Sequence, residues 1–415
     1  MKKFFIPFCF VVIFIFYFNF SLNLQKNICT FAQNCNFEII CDEKRYNFSL
    51  GSLHNEAEKK NIKKNYYSDN LDLKYKKKLL KKISKSGFSS QDALNYSFYG
   101  LKQKIEQIEK ETKIQEKNCE VRYNKELAKF YKTKSSEGKM LDKKELYDKF
   151  FDAVMSDKKT IKIKSKRIYP KLTEKDFVLE QRGFFSTSFS NSSKERKKNI
   201  EIAVNKIAGT VVKPGEVFSF NRVTGQRDEK SGYVSAKIIV GGKFVDGVGG
   251  GVCQVSSTLY NAVLLSGLKV VESHPHSLKV GYVKEGFDAM VNFYSADFKF
   301  ENNTSKNIYI GAKFENNSCG FYVFGEPNKQ KIVPRSEVVS KLSAPDFEYV
   351  YDTEDLSLCG RLPVGEFKVV AQPKEGMIVW SYLDIYEKDK KLKTIKLRKS
   401  KYSSQAGKIV IGTSV

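Results

Sequence analysis

Gly249, Gly250 and Gly251 run straight into VCQVSSTLYNAVLLSGL, and this stretch leaves the chain little choice of local structure. Val255, Leu259, Ala262 and Val263 recur at helical spacing, and Gly267 closes the run. The pattern predicts a helix that starts directly after a glycine-rich loop, with Cys253 in its first turn. Upstream, Ile238, Ile239 and Val240 read as a strand, and Gly241-Gly242 as a hairpin turn. Downstream, KVVESHPHSLKVGYV and AMVNFYSADFKFEN alternate as strands do, and NIYIGAKFENNSCGFYVFG reads as a hairpin. The expected class is α+β: a helix bearing cysteine at its N-terminus, packed on an antiparallel sheet. Just before this block, Ser192 or Ser193 can cap a helix carrying Ile200, Ala203, Val204 and Ile207.

A helix N-terminus carries partial positive charge and unpaired N–H groups. Both favour a thiolate at Cys253, and the same N–H groups can hold an oxyanion. Gly250 and Gly251 would let a substrate come close to the backbone. Two of the chain's three histidines, His274 and His276, follow on the next strand, where period-two alternation presents both to one face. A cysteine at a helix start with histidine on a neighbouring strand is the layout of a Cys–His nucleophile. Asp288 is the first choice to orient the imidazole and Asp297 the second. Against this stand a structural cysteine, a tight glycine loop, and a metal site using both histidines and Cys253. The concentration of histidine here favours the nucleophile, with His276 ahead of His274 as base, and neither metal nor cofactor is expected.

The rest of the chain adds context. Residues 4–20 form an uncharged apolar run behind Lys2 and Lys3, expected to be an uncleaved membrane anchor with the remaining chain on the extracellular face; a cleaved secretory signal is the alternative. Lys and Arg number 72 against 47 Asp and Glu, so the net charge of +25 attracts polyanions. The export segment argues against nucleic acid and for cell-wall polymers or a membrane surface. Outside the membrane, part of the cysteine set is expected to pair. The N-terminal region is lysine-rich, and Leu101, Ile105 and Ile108 predict helix running to about Tyr131. The tail from about 330 is strand-like. The expected division is 1–25 anchor or signal, 26–180 helical lysine-rich region, 181–328 the cysteine domain, and 329–415 a separate small β module.

FSFNRVTGQR, GYVSAKIIVGGKFVDGVGGGVCQVSSTLYN, ESHPHS and GFDAMV resemble the VanW family, named for a vancomycin-resistance accessory protein. The resemblance covers about 180–325. The segment 150–180 is similar to the end of a peptidoglycan-binding region that precedes such domains, and the tail loosely resembles a G5 module. The resemblance implies a peptidoglycan L,D-transpeptidase with Cys253 as nucleophile, acting on stem peptides and forming 3–3 cross-links through a thioester. It also implies that Arg227 pairs with a stem carboxylate, where a surface ion pair is the plainer role, and that Gln254 helps the oxyanion hole, where a helix-surface glutamine is the plainer one. A cysteine-dependent wall amidase or peptidase, or a non-catalytic wall-binding protein, are the alternatives.

Overall fold

The computed structural model describes residues 36–49, 81, 85, 87, 89–97, 101–156, 158–240, 243–354 and 362–414. The apolar run 4–20, most of the basic run 74–87, and Cys9, Cys29, Cys35 and Cys359 lie outside the described residues. Among the described residues no helix is long and apolar enough to cross a membrane. Of the described cysteines, Cys41, Cys253 and Cys319 are free thiols, so the expected pairing does not involve these three.

The chain forms two compact units. The first draws on the described residues up to Cys119 and on Lys134–Thr173. Its strand Asn36–Cys41 pairs antiparallel with Lys44–Ser49 and parallel with Thr160–Ile163. Leu101, Ile105 and Ile108 line one face of the helix Leu101–Thr112 and meet Leu146 and Phe150 of the helix Lys143–Met155 in its core. The helix stops at Thr112, short of the expected Tyr131. Val121–Asn124 and Lys129–Lys132 form a hairpin that belongs to the second unit. Aromatic pairing decides this: the Phe130 ring packs at a tilt on Tyr123 and Tyr309 and edge-on to Phe324, a set that a continued helix would separate.

The second unit, Glu120–Thr133 and Glu174–Val415, is α+β. Its central sheet is antiparallel, in the order Glu180–Ser188, Ser318–Gly325, Ile308–Glu315, Thr210–Val212. Asn316 and Asn317, both at positive φ, make the tight turn of the predicted hairpin. The helix Val252–Leu265 lies against Glu180–Ser188 and Ser318–Gly325, where the Thr258 and Thr187 hydroxyls meet at 2.8 Å. The helix Lys194–Ile207, capped by Ser193, packs on Ile308–Glu315 and on the cysteine-bearing helix. Ser235–Val240 and Lys243–Val248 pair as a hairpin.

Two expected strands are mostly loop. Of KVVESHPHSLKVGYV only Lys269–Glu272 is strand, and of AMVNFYSADFKFEN only Lys299–Glu301. The tail forms two three-stranded sheets, Lys331–Leu342, Gly376–Glu387 and Lys390–Tyr402, and Phe347–Tyr351, Gly407–Ile411 and Phe367–Ala371. Residues 329–415, expected as a module of their own, share this compact unit. Ile332, Leu383 and Ile385 are buried in one core with Val255, Leu259 and Phe321.

Candidate active site

The helix start is built by the three glycines. Gly251 is at φ +108°, and a Cβ there would meet Ile200 and Arg196 at about 3 Å. A Cβ on Gly250 would lie 2.7 Å from the Lys237 carbonyl. Both missing side chains therefore face the neighbouring helix and hairpin. They let Val252–Leu265 start deep in the fold, while their backbone lines the cleft in front of Cys253. Gly250 and Gly251 were expected to admit a substrate; their first requirement is packing.

The polar residues of SSTLYN explain why 286–297 abandons a ladder. Ser257 Oγ accepts from Ala289 N at 2.8 Å and donates to the Cys253 carbonyl at 2.7 Å. Ser256 Oγ donates to the Ala289 carbonyl, and Asn261 Nδ2 donates to the Phe287 carbonyl at 2.7 Å. Side chains of the helix thus supply the partners that another strand would have supplied. This fixes residues 287–291 along the helix, with Asp288 between two tethered neighbours.

Asp288 meets His276. Its Oδ2 accepts from His276 Nδ1 at 2.7 Å and from His276 N at 2.6 Å. The other side of the ring is in hydrogen-bond contact with Cys253, whose Sγ also lies 3.5 Å from the Val291 carbonyl. His276 is 5 % exposed and Asp288 1 %. Burial alone would push the thiol up and the imidazole down. Their mutual contact, with Asp288 behind the ring and Arg227 near the sulfur, outweighs it: Cys253 sits below its ordinary value and His276 is pushed up to about 9. The geometry therefore favours a thiolate–imidazolium pair. Cys–His–Asp in this arrangement can deliver a nucleophile and then a proton to a leaving group.

His274 is elsewhere. The strand ends at Glu272 and the chain turns through Pro275, so the two histidines do not share a face. His274 Nε2 lies 3.0 Å from Glu272 Oε1. That carboxylate also takes Lys299 Nζ at 2.8 Å and Asp297 N at 3.0 Å, and Lys299 above all holds it down to about 2. Asp297 accepts from Ser219 Oγ and from the backbone N–H of Asn221 and Phe298, a capping role that leaves Asp288 as the partner of His276. Gln254 is 1 % exposed and fully engaged: Oε1 accepts from Arg196, and Nε2 donates to Thr187 Oγ1 and the Ser188 carbonyl. Its amide is not available to an oxyanion, and two N–H groups of the helix start, Val252 N and Gln254 N, already donate to the Gly249 and Gly251 carbonyls.

Cys253 and His276 line a cleft of about 510 Å³. Among the described residues its lining holds Arg196, Arg227, Lys237 and Lys279 and no acidic side chain. Lys237 and Lys279 have carboxylate partners, Asp246 and Glu285. Arg196 and Arg227 have neutral ones: Ser192 and Gln254, and Asn221 and Thr224. Nε and Nη1 of Arg227 are buried without a hydrogen-bond partner. Four residues of the site went unread in the sequence. Arg196 is one. Tyr282 packs edge-on to His276 with ring centroids 6.5 Å apart and is raised well above the usual tyrosine range by burial and the charge of Cys253. Arg398 and Tyr402 both reach Asp288. Their only signal was spacing, since residues four apart on a strand share a face.

Residues 195–324 match the family model described as VanW like protein, and the resemblance read from the motifs holds over this span. Over 156 residues the chain is 44% identical to the uncharacterized protein YoaR of Bacillus subtilis (strain 168), covering 37% of this chain and 52% of that protein. Over 153 residues it is 27% identical to the vancomycin B-type resistance protein VanW of Enterococcus faecalis (strain ATCC 700802 / V583), covering 35% and 56% respectively. The chain thus spans about half the length of these curated relatives. The solved IgA1 protease G5 domain aligns over 22% of this chain and 100% of its own, at 17% identity and a TM-score of 0.13, a likeness too small to carry a fold assignment. Cys253, His276 and Asp288 lie inside the matched span, whereas Arg398 and Tyr402 lie beyond it.

Proposed function

We propose that this chain is a cell-envelope L,D-transpeptidase that cross-links peptidoglycan stem peptides through a thioester on Cys253. The observation that carries the reading is the Cys253–His276–Asp288 line set into a cationic cleft at a helix N-terminus. The VanW-like match supports the wall as its setting.

The Cys253 thiolate attacks the carbonyl carbon of the third stem residue, a diamino acid. The C–N bond to the terminal D-alanine breaks, and the His276 imidazolium gives its Nε2 proton to the departing amine. The side-chain amine of a second stem then attacks the thioester and yields its proton to the now neutral His276. The C–S bond breaks, which regenerates the thiolate and leaves a 3–3 cross-link. Asp288 holds the ring's tautomer and stabilises its cationic form. The backbone N–H of Cys253 itself receives the oxyanion, since Val252 N and Gln254 N are taken by the Gly249 and Gly251 carbonyls. Arg227 and Arg196 favour a donor bearing a free carboxylate, because their guanidinium groups have only neutral partners. The domain would work outside the membrane behind the apolar run 4–20, its positive charge attracting anionic wall polymers or the membrane surface.

Sacculi treated with the full chain and then digested should yield stem-peptide dimers linked 3–3, and Cys253→Ala should yield none. Shortened monomers without dimers would assign the site to a hydrolase instead.

A further inference from the structure

The strand Lys390–Tyr402 lies beyond the matched span, yet two of its side chains end on Asp288. Asp288 Oδ1 accepts from Tyr402 Oη at 2.6 Å and from Arg398 Nη2 at 3.3 Å. The direction of the tyrosine bond is forced. Gly286 N donates to Tyr402 Oη at 2.7 Å, so the hydroxyl proton goes to Asp288. Arg398 Nη2 also donates to the Asp288 main-chain carbonyl, and its Nη1 donates to Ser273 Oγ at 2.9 Å. Its guanidinium sits over the Tyr260 ring of the cysteine-bearing helix, 5.4 Å from the centroid. Ser403 N, one residue past the strand, donates to the Ser277 carbonyl beside His276 at 2.8 Å. Tyr402 is 2 % exposed and the Arg398 side chain 13 %. The carboxylate thus has a division of labour: Oδ2 takes two donors from His276, and Oδ1 takes two from the strand Lys390–Tyr402.

We propose that Arg398 and Tyr402 are positioning residues of the active site, which hold Asp288, and through it His276, against Cys253. The proposal rests on reading Cys253 as the nucleophile, and it makes the residues after 328 a working part of the site. A buried carboxylate with only the imidazole as partner could rotate about χ2 and release the ring. Four donors in two pairs fix both oxygens. Arg398 also supplies a cation that keeps the carboxylate ionised in a buried place.

The test is a double-mutant cycle on the full chain, read by the pH at which iodoacetamide alkylation of Cys253 reaches half its plateau. The titratable and charged groups around the thiol are His276, Arg227, Arg196 and Tyr282; those around Asp288 are His276, Arg398, Tyr402, Tyr260 and Tyr282. Tyr402→Phe keeps the ring and removes the hydroxyl. It should raise the midpoint by roughly half a unit or more, because a loosened imidazolium stabilises the thiolate less. In an Asp288→Asn background, itself shifted upward, Tyr402→Phe should add nothing. Arg398→Met should behave likewise, and Arg398→Lys should recover part of the shift. An unchanged midpoint in folded Tyr402→Phe, or shifts that simply add in the double variant, would overturn the proposal. Because alkylation is read without substrate, a midpoint that moves as expected supports the clamp even if no cross-link ever forms.

Discussion

At Cys253 burial works against a thiolate, while the imidazolium of His276 and the guanidinium of Arg227 work for it, and the second pair prevails. The consequence differs for the two histidines. His276→Ala should move the Cys253 alkylation midpoint up towards the free-cysteine value of about 8.5 and abolish cross-linking. His274→Ala should leave the midpoint where it is, because its ring is held by Glu272 outside the cleft. Iodoacetamide rates across pH for both variants check this, and a shift in His274→Ala alone would reverse the assignment. Chemistry in the sequence pointed to both histidines and to Asp288. It ranked His276 ahead of His274 but put both on one face, since their placement depends on where the strand stops: Pro275 removes a ladder donor, and the N–H of His276 goes to the Asp288 carboxylate instead.

Among the elements, those whose boundaries are set locally were legible. The helix Val252–Leu265 follows from its glycines and its apolar spacing, the helix Lys194–Ile207 from Ser193, and the hairpin Ile308–Glu315 with Ser318–Gly325 from Asn316-Asn317. Segment 274–297 was not, because its hydrogen-bond partners are Ser256, Ser257 and Asn261, far away in sequence. The short strands that bracket this segment, Lys269–Glu272 and Lys299–Glu301, are joined through Glu272, Lys299, His274 and Asp297 N. Glu272 is held down to about 2 from an ordinary 4.5, chiefly by Lys299. A depressed carboxyl stabilises the fold fully above its unfolded value, and that contribution is lost as pH falls through the folded one. The stability of the chain to urea should therefore fall between pH 4.5 and 2, and the Glu272→Gln variant should show a shallower loss over the same window. Identical slopes in the two proteins would remove Glu272 from the account.

For the molecule as a whole, the second unit matters more than the matched span within it. Ile332, Leu383 and Ile385 fill the core under the cysteine-bearing helix, and Arg398 and Tyr402 complete the surroundings of Asp288. The strand-like tail was legible as strand; its place in the site was not, since Lys390–Tyr402 reads by composition as a basic solvent-facing run. On the proposed function, this unit presents one activated sulfur, at Cys253, to a carboxylate-bearing peptide. Intact-mass spectrometry of the full chain mixed with a tetrapeptide stem tests it most directly. A tripeptide acyl group should map by proteolysis to the peptide containing Cys253, be removed by an added amine acceptor and be absent in Cys253→Ala. Cross-links formed at the native rate by Cys253→Ala would contradict it.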